Sequence, residues 1–161
     1  MEEKKITISI WTAGAIDELP NDDACLLREA IKACGKSYAP YSKFNVGAAL
    51  LLENGEIIHG SNQENSAYPS GLCAERVALF YANSEYPDVA IKAIAISSAI
   101  NGVQNKTAVY PCGGCRQSLI QSEMRQNKPI RIIMAGSNDI KIVDSAKSLL
   151  PLNFDLDNFL I

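Results

Sequence analysis

The chain has 161 residues, 47% of them hydrophobic and 20% charged, a size and composition that suit one ordinary folded domain with a real apolar core. Its formal charge of -3, with basic residues scattered rather than striped, argues against nucleic acid as a partner and favours a small neutral molecule. Five cysteines, an odd number with no secretory leader in view, argue against a disulfide framework and make a reducing cytoplasm the expected compartment.

In chain order, Ile6, Ile8 and Ile10 alternate with Thr7 and Ser9, the period of a half-buried strand rather than of a signal peptide, so a first strand is expected within an extension over residues 1–20. No transmembrane stretch appears. Asp22 and Asp23 then introduce a helix in which Leu27, Ala30, Ile31 and Cys34 recur at helical spacing. Cys25 and Cys34 fall within it and read as small buried apolar residues.

"YAPYSKF" is a turn-rich connection, and "NVGAALLLENGEIIHGSN" reads as a hairpin closed by Asn54 and Gly55. A loop from Gln63 to Leu72 leads to a helix over about 73–82, and "AIKAIAIS" from Ala90 suits a strand covered on both faces. After a polar loop, "INGVQNKTAVY", come a helix over "GGCRQSLIQSEMRQ", strands at "PIRIIMAG" and "DIKIV", and a short capped helix stopped by Pro151. The order βαββαβαββα points to an α/β fold, a three-layer α/β/α sandwich around one mixed sheet, in a single domain over 1–161.

Chemistry concentrates in two stretches, "YPSGLCAERVALF" and "PCGGCRQ". Cys112 and Cys115 can present two sulfurs to one ion from a helix's first turn, and Cys73 starts another helix. A structural Zn²⁺ site normally takes four protein ligands, whereas a catalytic one takes three and leaves a position for water. His59 and the cysteines of the first helix are the spare candidates, and none sits at ligand spacing, so three ligands plus water is the better count. Glu75, two residues past Cys73, then stands where a general base would face water without binding the metal; by itself it reads equally well as a first-turn glutamate serving the helix dipole. Three thiolates leave the site net negative, and Arg76 and Arg116, each directly after a proposed base or ligand, together with the helix N-termini, would offset that charge.

These residues resemble the zinc-dependent cytidine deaminase family in its small, homotetrameric, three-cysteine branch, a cytidine deaminase-like fold. Its pattern is Cys or His, any residue, Glu, then Pro-Cys-x-x-Cys, matched by "CAE" and "PCGGC". "YAPYSKFNVGAALL", "GSNQENSAYPSGLCAER" and "LLPLNF" are similar to family segments in the same order, from about Tyr38 to Phe154. The resemblance implies that Cys73, Cys112 and Cys115 bind one zinc per subunit and that Glu75 shuttles protons. It also implies that Phe44 lines the nucleoside pocket, that Asn62 and Glu64 hold ribose hydroxyls, and that the Ala74 N–H meets the base's O2 while the Tyr110 carbonyl accepts from the exocyclic amine. Tyr68 and Phe154 would reach a neighbouring subunit's site. Two departures stand out: Tyr110 replaces a residue that is often small, and the Cys73 to Cys112 separation is longer than in compact members.

The activity so implied is hydrolysis of cytidine, and of deoxycytidine, to the uridine nucleoside and ammonia in pyrimidine salvage, without an organic cofactor, nucleic acid or membrane. A deaminase acting on another amine is the nearest rival. A zinc-stabilised module with four protein ligands and a thiol-disulfide oxidoreductase with a metal-free Cys112-Cys115 pair are the others.

Overall fold

The computed structural model describes residues 1–155, so the end of the domain expected over 1–161 lies outside the described residues. The elements are β1 (Trp11–Ala13), α1 (Asn21–Cys34), β2 (Phe44–Leu52), β3 (Ile57–Ser61), α2 (Ala74–Glu85), β4 (Ile91–Ile100), β5 (Val103–Gln104), α3 (Gly113–Gln126), β6 (Arg131–Ala135) and β7 (Ile140–Val143), with single 3-10 turns at Ile16–Glu18, Tyr68–Ser70 and Ala146–Leu149. The sheet runs β1-β7-β6-β4-β2-β3, with β5 added to β4. β4 and β6 pair in parallel and the other pairs are antiparallel, so α3 lies on the crossover that parallel strands require.

The three-layer expectation matches what the strands bury. Ala48, Leu50, Ile94, Ile96, Ile132 and Met134 form one face with Ala78 and Leu79 of α2 and Leu119 and Ile120 of α3. The intervening residues, Ala49, Ala93, Ala95, Ile133 and Ala135, pack with Leu26, Leu27 and Ala30 of α1. Because β4 is covered on both faces, its sequence is a nearly continuous apolar run rather than an alternation. Small residues dominate the α1 face, and a Cβ on Gly47 would stand 2.2 Å from the Ala30 carbonyl oxygen, so α1 lies almost against the strand backbone.

On the other face α2 comes equally close. A Cβ on Gly60 would meet the Ala74 oxygen at 2.2 Å and the Ala78 nitrogen at 2.7 Å, which fixes the first turn of α2 on β3.

Three expectations are corrected. Residues 6–10 form no strand, and Ile6, Ile8 and Ile10 are exposed; the first strand is Trp11–Ala13. Its partner β7 ends at Val143, one residue past the Trp11–Ile142 pair, so the partner strand runs out opposite residue 10, short of Ile6 and Ile8. Cys25 is exposed, because it falls on the charged side of α1 with Arg28 and Lys32, whereas Cys34 is buried as expected. Finally, "INGVQ" is not a loop: Asn101 and Gly102, both at positive φ, turn β4 into β5.

An ion-pair chain docks the extension. Arg131 forks Nε and Nη2 onto the buried Asp23 of α1 and reaches Asp144 with Nη1, and Asp144 accepts from Trp11 Nε1 at 2.9 Å. No helix among the described residues is long and apolar enough to cross a membrane.

Candidate metal centre and substrate cleft

Cys73 is the N-cap of α2 and Cys112 the N-cap of α3, both with extended backbone; Cys115 lies one turn into α3 and is fully buried. The two helix N-termini meet. Cys73 Sγ is 3.9 Å from Cys112 Sγ, which is 3.5 Å from Cys115 Sγ, and all three sulfurs lie within 4.8 Å of one another. Among the described residues no His, Cys, Asp or Glu adds a fourth ligand atom to this group. His59 hydrogen-bonds Glu29 of α1 at 2.9 Å, and Cys34 donates to the Ser97 carbonyl at 3.4 Å.

The donor set fits zinc. Three sulfurs within one ion's reach are what a soft, tetrahedral cation takes, and a count of three protein ligands among the described residues suits a catalytic rather than a structural site. The protein's own electrostatics favour a thiolate at Cys73. The Cys73 thiol is held down to about 5, first by its hydrogen bond with Cys115 and then, against the cost of burial, by Arg76, whose Nη2 lies 3.7 Å from the sulfur. The partner in that bond, Cys115, is pushed up accordingly. Arg76 Nε is buried without a hydrogen-bond partner among the described residues, an orphaned donor beside the sulfurs. Arg116 behaves differently: its Nε donates to the Pro111 carbonyl and its Nη1 to the Leu149 carbonyl, both at 2.9 Å.

Glu75 sits in the first turn of α2 and is only 5% exposed. Burial pushes its carboxyl above the ordinary glutamate range and the nearby Cys73 charge adds to this, while its own N–H and the Cys115 thiol pull the other way. It is a buried carboxyl beside the sulfur cluster and outside the group of ligand atoms. Ala74, just ahead of it, is fully buried, and as the first residue after the N-cap it carries one of the helix's unbonded N–H groups.

A cavity of about 530 Å³ opens from Cys73 and is lined by Asn62, Glu64, Tyr68, Tyr41, Ser42 and Leu72 among others. Paired backbone bonds between Gln63 and Leu72, and bonds joining Tyr38 to Asn62 and Glu64, hold its walls together. The Asn62 amide bridges the start of β2, accepting from Val46 N at 2.7 Å and donating to the Phe44 carbonyl at 2.9 Å. Glu64 accepts from Tyr41 N and Ser42 N, and hydrogen bonding, from Ser42 foremost, holds its carboxyl below the usual range. Tyr68 is 78% exposed and meets Tyr41 edge-on at 6.3 Å between ring centroids. Phe44 and Tyr110 line a second cavity, of about 430 Å³. Phe154 is exposed, its backbone bonded to Gln117 of α3.

Sequence reasoning thus missed the backbone of Tyr41 and Ser42, which orients Glu64, the Gln63 bridge, and Gln117. "YAPYS" signalled a turn but not its partner. Gln117 carried no signal of its own.

A family model described as the cytidine and deoxycytidylate deaminase zinc-binding region matches residues 20–128. A cytidine deaminase from Halalkalibacterium halodurans is 45% identical over 102 residues, 62% of this chain and 71% of that protein. One from Mycobacterium tuberculosis is 34% identical over 144 residues, 87% of this chain and 96% of that protein. The crystal structure of a cytidine deaminase from Burkholderia pseudomallei superposes with a TM-score of 0.69 at 35% identity, covering 84% of this chain and all of that one.

Proposed function

The chain belongs to the cytidine and deoxycytidylate deaminase zinc-binding family, and from that membership we propose that it hydrolyses cytidine, and deoxycytidine with it, to the uridine nucleoside and ammonia. The observation that carries the reading is the pairing of a three-sulfur cluster, without a fourth protein ligand among the described residues, with a buried carboxyl beside it. A structural zinc module would need that fourth ligand; His59 is bonded to Glu29 and Cys34 to the Ser97 carbonyl, and Cys25 stands exposed on α1 outside the group.

Cys73, Cys112 and Cys115 would hold the zinc, with Arg76 and the two helix N-termini offsetting the thiolate charge. When bound, zinc supplies Lewis acidity, which makes water acidic enough to act as a nucleophile near neutral pH. Glu75 takes the proton from that water and delivers it to N3 of the base, which makes C4 electrophilic to attack. After attack, Glu75 takes the remaining proton from the oxygen now on C4 and passes it to the exocyclic amine, which departs as ammonia while C4 keeps the oxygen as a carbonyl. Its raised proton affinity suits a group that must both accept and return a proton.

The Ala74 N–H holds O2 of the base and the Tyr110 carbonyl receives the exocyclic amine. Asn62 and Glu64 hold ribose hydroxyls in the cleft beside Cys73, and Phe44, beside Tyr110 in the second cavity, lines the nucleoside pocket. Tyr68 and Phe154, both exposed in the single chain, complete sites on neighbouring subunits of a homotetramer. The enzyme works in the cytoplasm, in keeping with five cysteines that are all free thiols.

Purified, zinc-loaded protein given cytidine should release stoichiometric ammonia as the cytidine absorbance falls. Zinc bound without turnover of cytidine or deoxycytidine would overturn the reading and point to another amine.

A further inference from the structure

The helix turn that carries Cys115 also grips the C-terminal segment. Gln117, two residues on, uses both ends of its amide on one residue: Nε2 donates to the Phe154 carbonyl at 2.8 Å, and Oε1 accepts from the Phe154 N–H at 3.2 Å. Its neighbour Arg116 donates to the Leu149 carbonyl at 2.9 Å, and through Nε to the carbonyl of Pro111, directly before Cys112. A primary amide bonded to both the N–H and the C=O of a single residue mimics a strand partner, and it fixes that residue's position and direction together. Phe154 lies in no helix or strand, and these bonds, together with one from the Asn153 side-chain amide to the Phe154 carbonyl at 3.1 Å, hold the backbone that carries its exposed ring.

We infer that Gln117 is a positioning residue for substrate binding, acting through Phe154: it holds the C-terminal aromatic in the orientation in which that ring closes over a nucleoside. The inference rests on the role given to Phe154 under the proposed function. Arg116 serves the same junction from the other side, tying the Cys112 turn to Leu149, so the metal turn and the aromatic wall are fastened to one rigid helix end. A ring that packs on the nucleoside equally in the ground and transition states affects KM rather than kcat.

The experiment compares Phe154→Ala, Gln117→Ala, Gln117→Glu and the Phe154→Ala/Gln117→Ala double variant with the parent, all zinc-loaded, by steady-state kinetics on cytidine and by metal content. Losing two hydrogen bonds of ordinary net worth should raise KM about fivefold to tenfold in Gln117→Ala, with kcat within about twofold and zinc content unchanged. Gln117→Glu keeps the acceptor for the Phe154 N–H but sets an oxygen against the Phe154 carbonyl, so it should raise KM without altering the fold. It stands in should the alanine variant fail to fold. The double variant should bind no more weakly than Phe154→Ala alone, because the amide acts only through the ring.

If Phe154→Ala raises KM but neither Gln117 variant does, or if the two effects multiply, the positioning role is wrong while the wall stands. If Phe154→Ala leaves KM unchanged, the wall itself is wrong and the inference falls with it.

Discussion

Gly60→Ala should damage the metal centre from a position that touches no ligand. The added Cβ would stand 2.2 Å from the Ala74 oxygen and 2.7 Å from the Ala78 nitrogen, where ordinary contact begins at 3.4 Å. Both atoms are α2 backbone and cannot swing aside, so the first turn of α2 must lift off β3 by about 1 Å. That lift carries Cys73 and Glu75 away from Cys112 and Cys115, which are anchored separately on α3. Overpacking of this kind costs about 1–3 kcal/mol, which for a chain of this length lowers Tm by roughly 2–12 °C. A displacement of about 1 Å in a catalytic group costs on the order of 100-fold in kcat/KM. Thermal unfolding and cytidine kinetics on zinc-loaded protein measure both. Gly35→Ala is the control, since its Cβ meets only the Lys32 oxygen, at 3.5 Å, and its φ of -67° suits alanine. If Gly60→Ala matched the parent in Tm and in kcat/KM, the close approach of α2 to β3 would not be what sets the site.

Glu75→Gln should separate function from stability. Because the folded protein raises the Glu75 pKa, its contribution to stability is present below the unfolded value of 4.5 and is lost as pH rises through the higher folded value. The metal-free Gln variant should therefore be more stable to urea than the metal-free parent near pH ~7 and no more stable below the unfolded value; equal stability at both would contradict the burial argument. Glu64→Ala should cost about 10- to 100-fold in kcat/KM for cytidine, the worth of a hydrogen bond to a charged group. A cytidine analogue lacking the ribose hydroxyl that Glu64 holds should lose much less; equal losses would remove Glu64 from the ribose site.

The layered fold was legible because its signals are local or periodic: the Asn54-Gly55 turn, the apolar run of β4, the acidic first turn of α1. Asn101-Gly102 is the same kind of turn signal and was passed over, because the strand it returns to is two residues long and shows no alternation. The isoleucines before Trp11 failed for the opposite reason. Their alternation is real, but burial needs a partner strand, and β7 ends too early to offer one.

At the site, Cys73, Glu75, Cys112 and Cys115 were legible because two short motifs each carry their own spacing. That the two helix starts meet within 4.8 Å was not, since it depends on how α2 and α3 lie on the sheet. Nor was the separation of the two arginines, Arg76 onto a sulfur and Arg116 onto two carbonyls, since each simply follows a proposed base or ligand in the sequence.

The most direct measurement is the ultraviolet-monitored turnover of cytidine by the zinc-loaded protein, with Glu75→Ala and Cys112→Ala prepared alongside. The parent should deaminate cytidine, Glu75→Ala should keep its zinc and fold yet lose nearly all turnover, and Cys112→Ala should lose the metal. Equal zinc loss in both variants, or an inert zinc-loaded parent, would contradict the assignment of a three-thiolate centre with Glu75 as its proton shuttle.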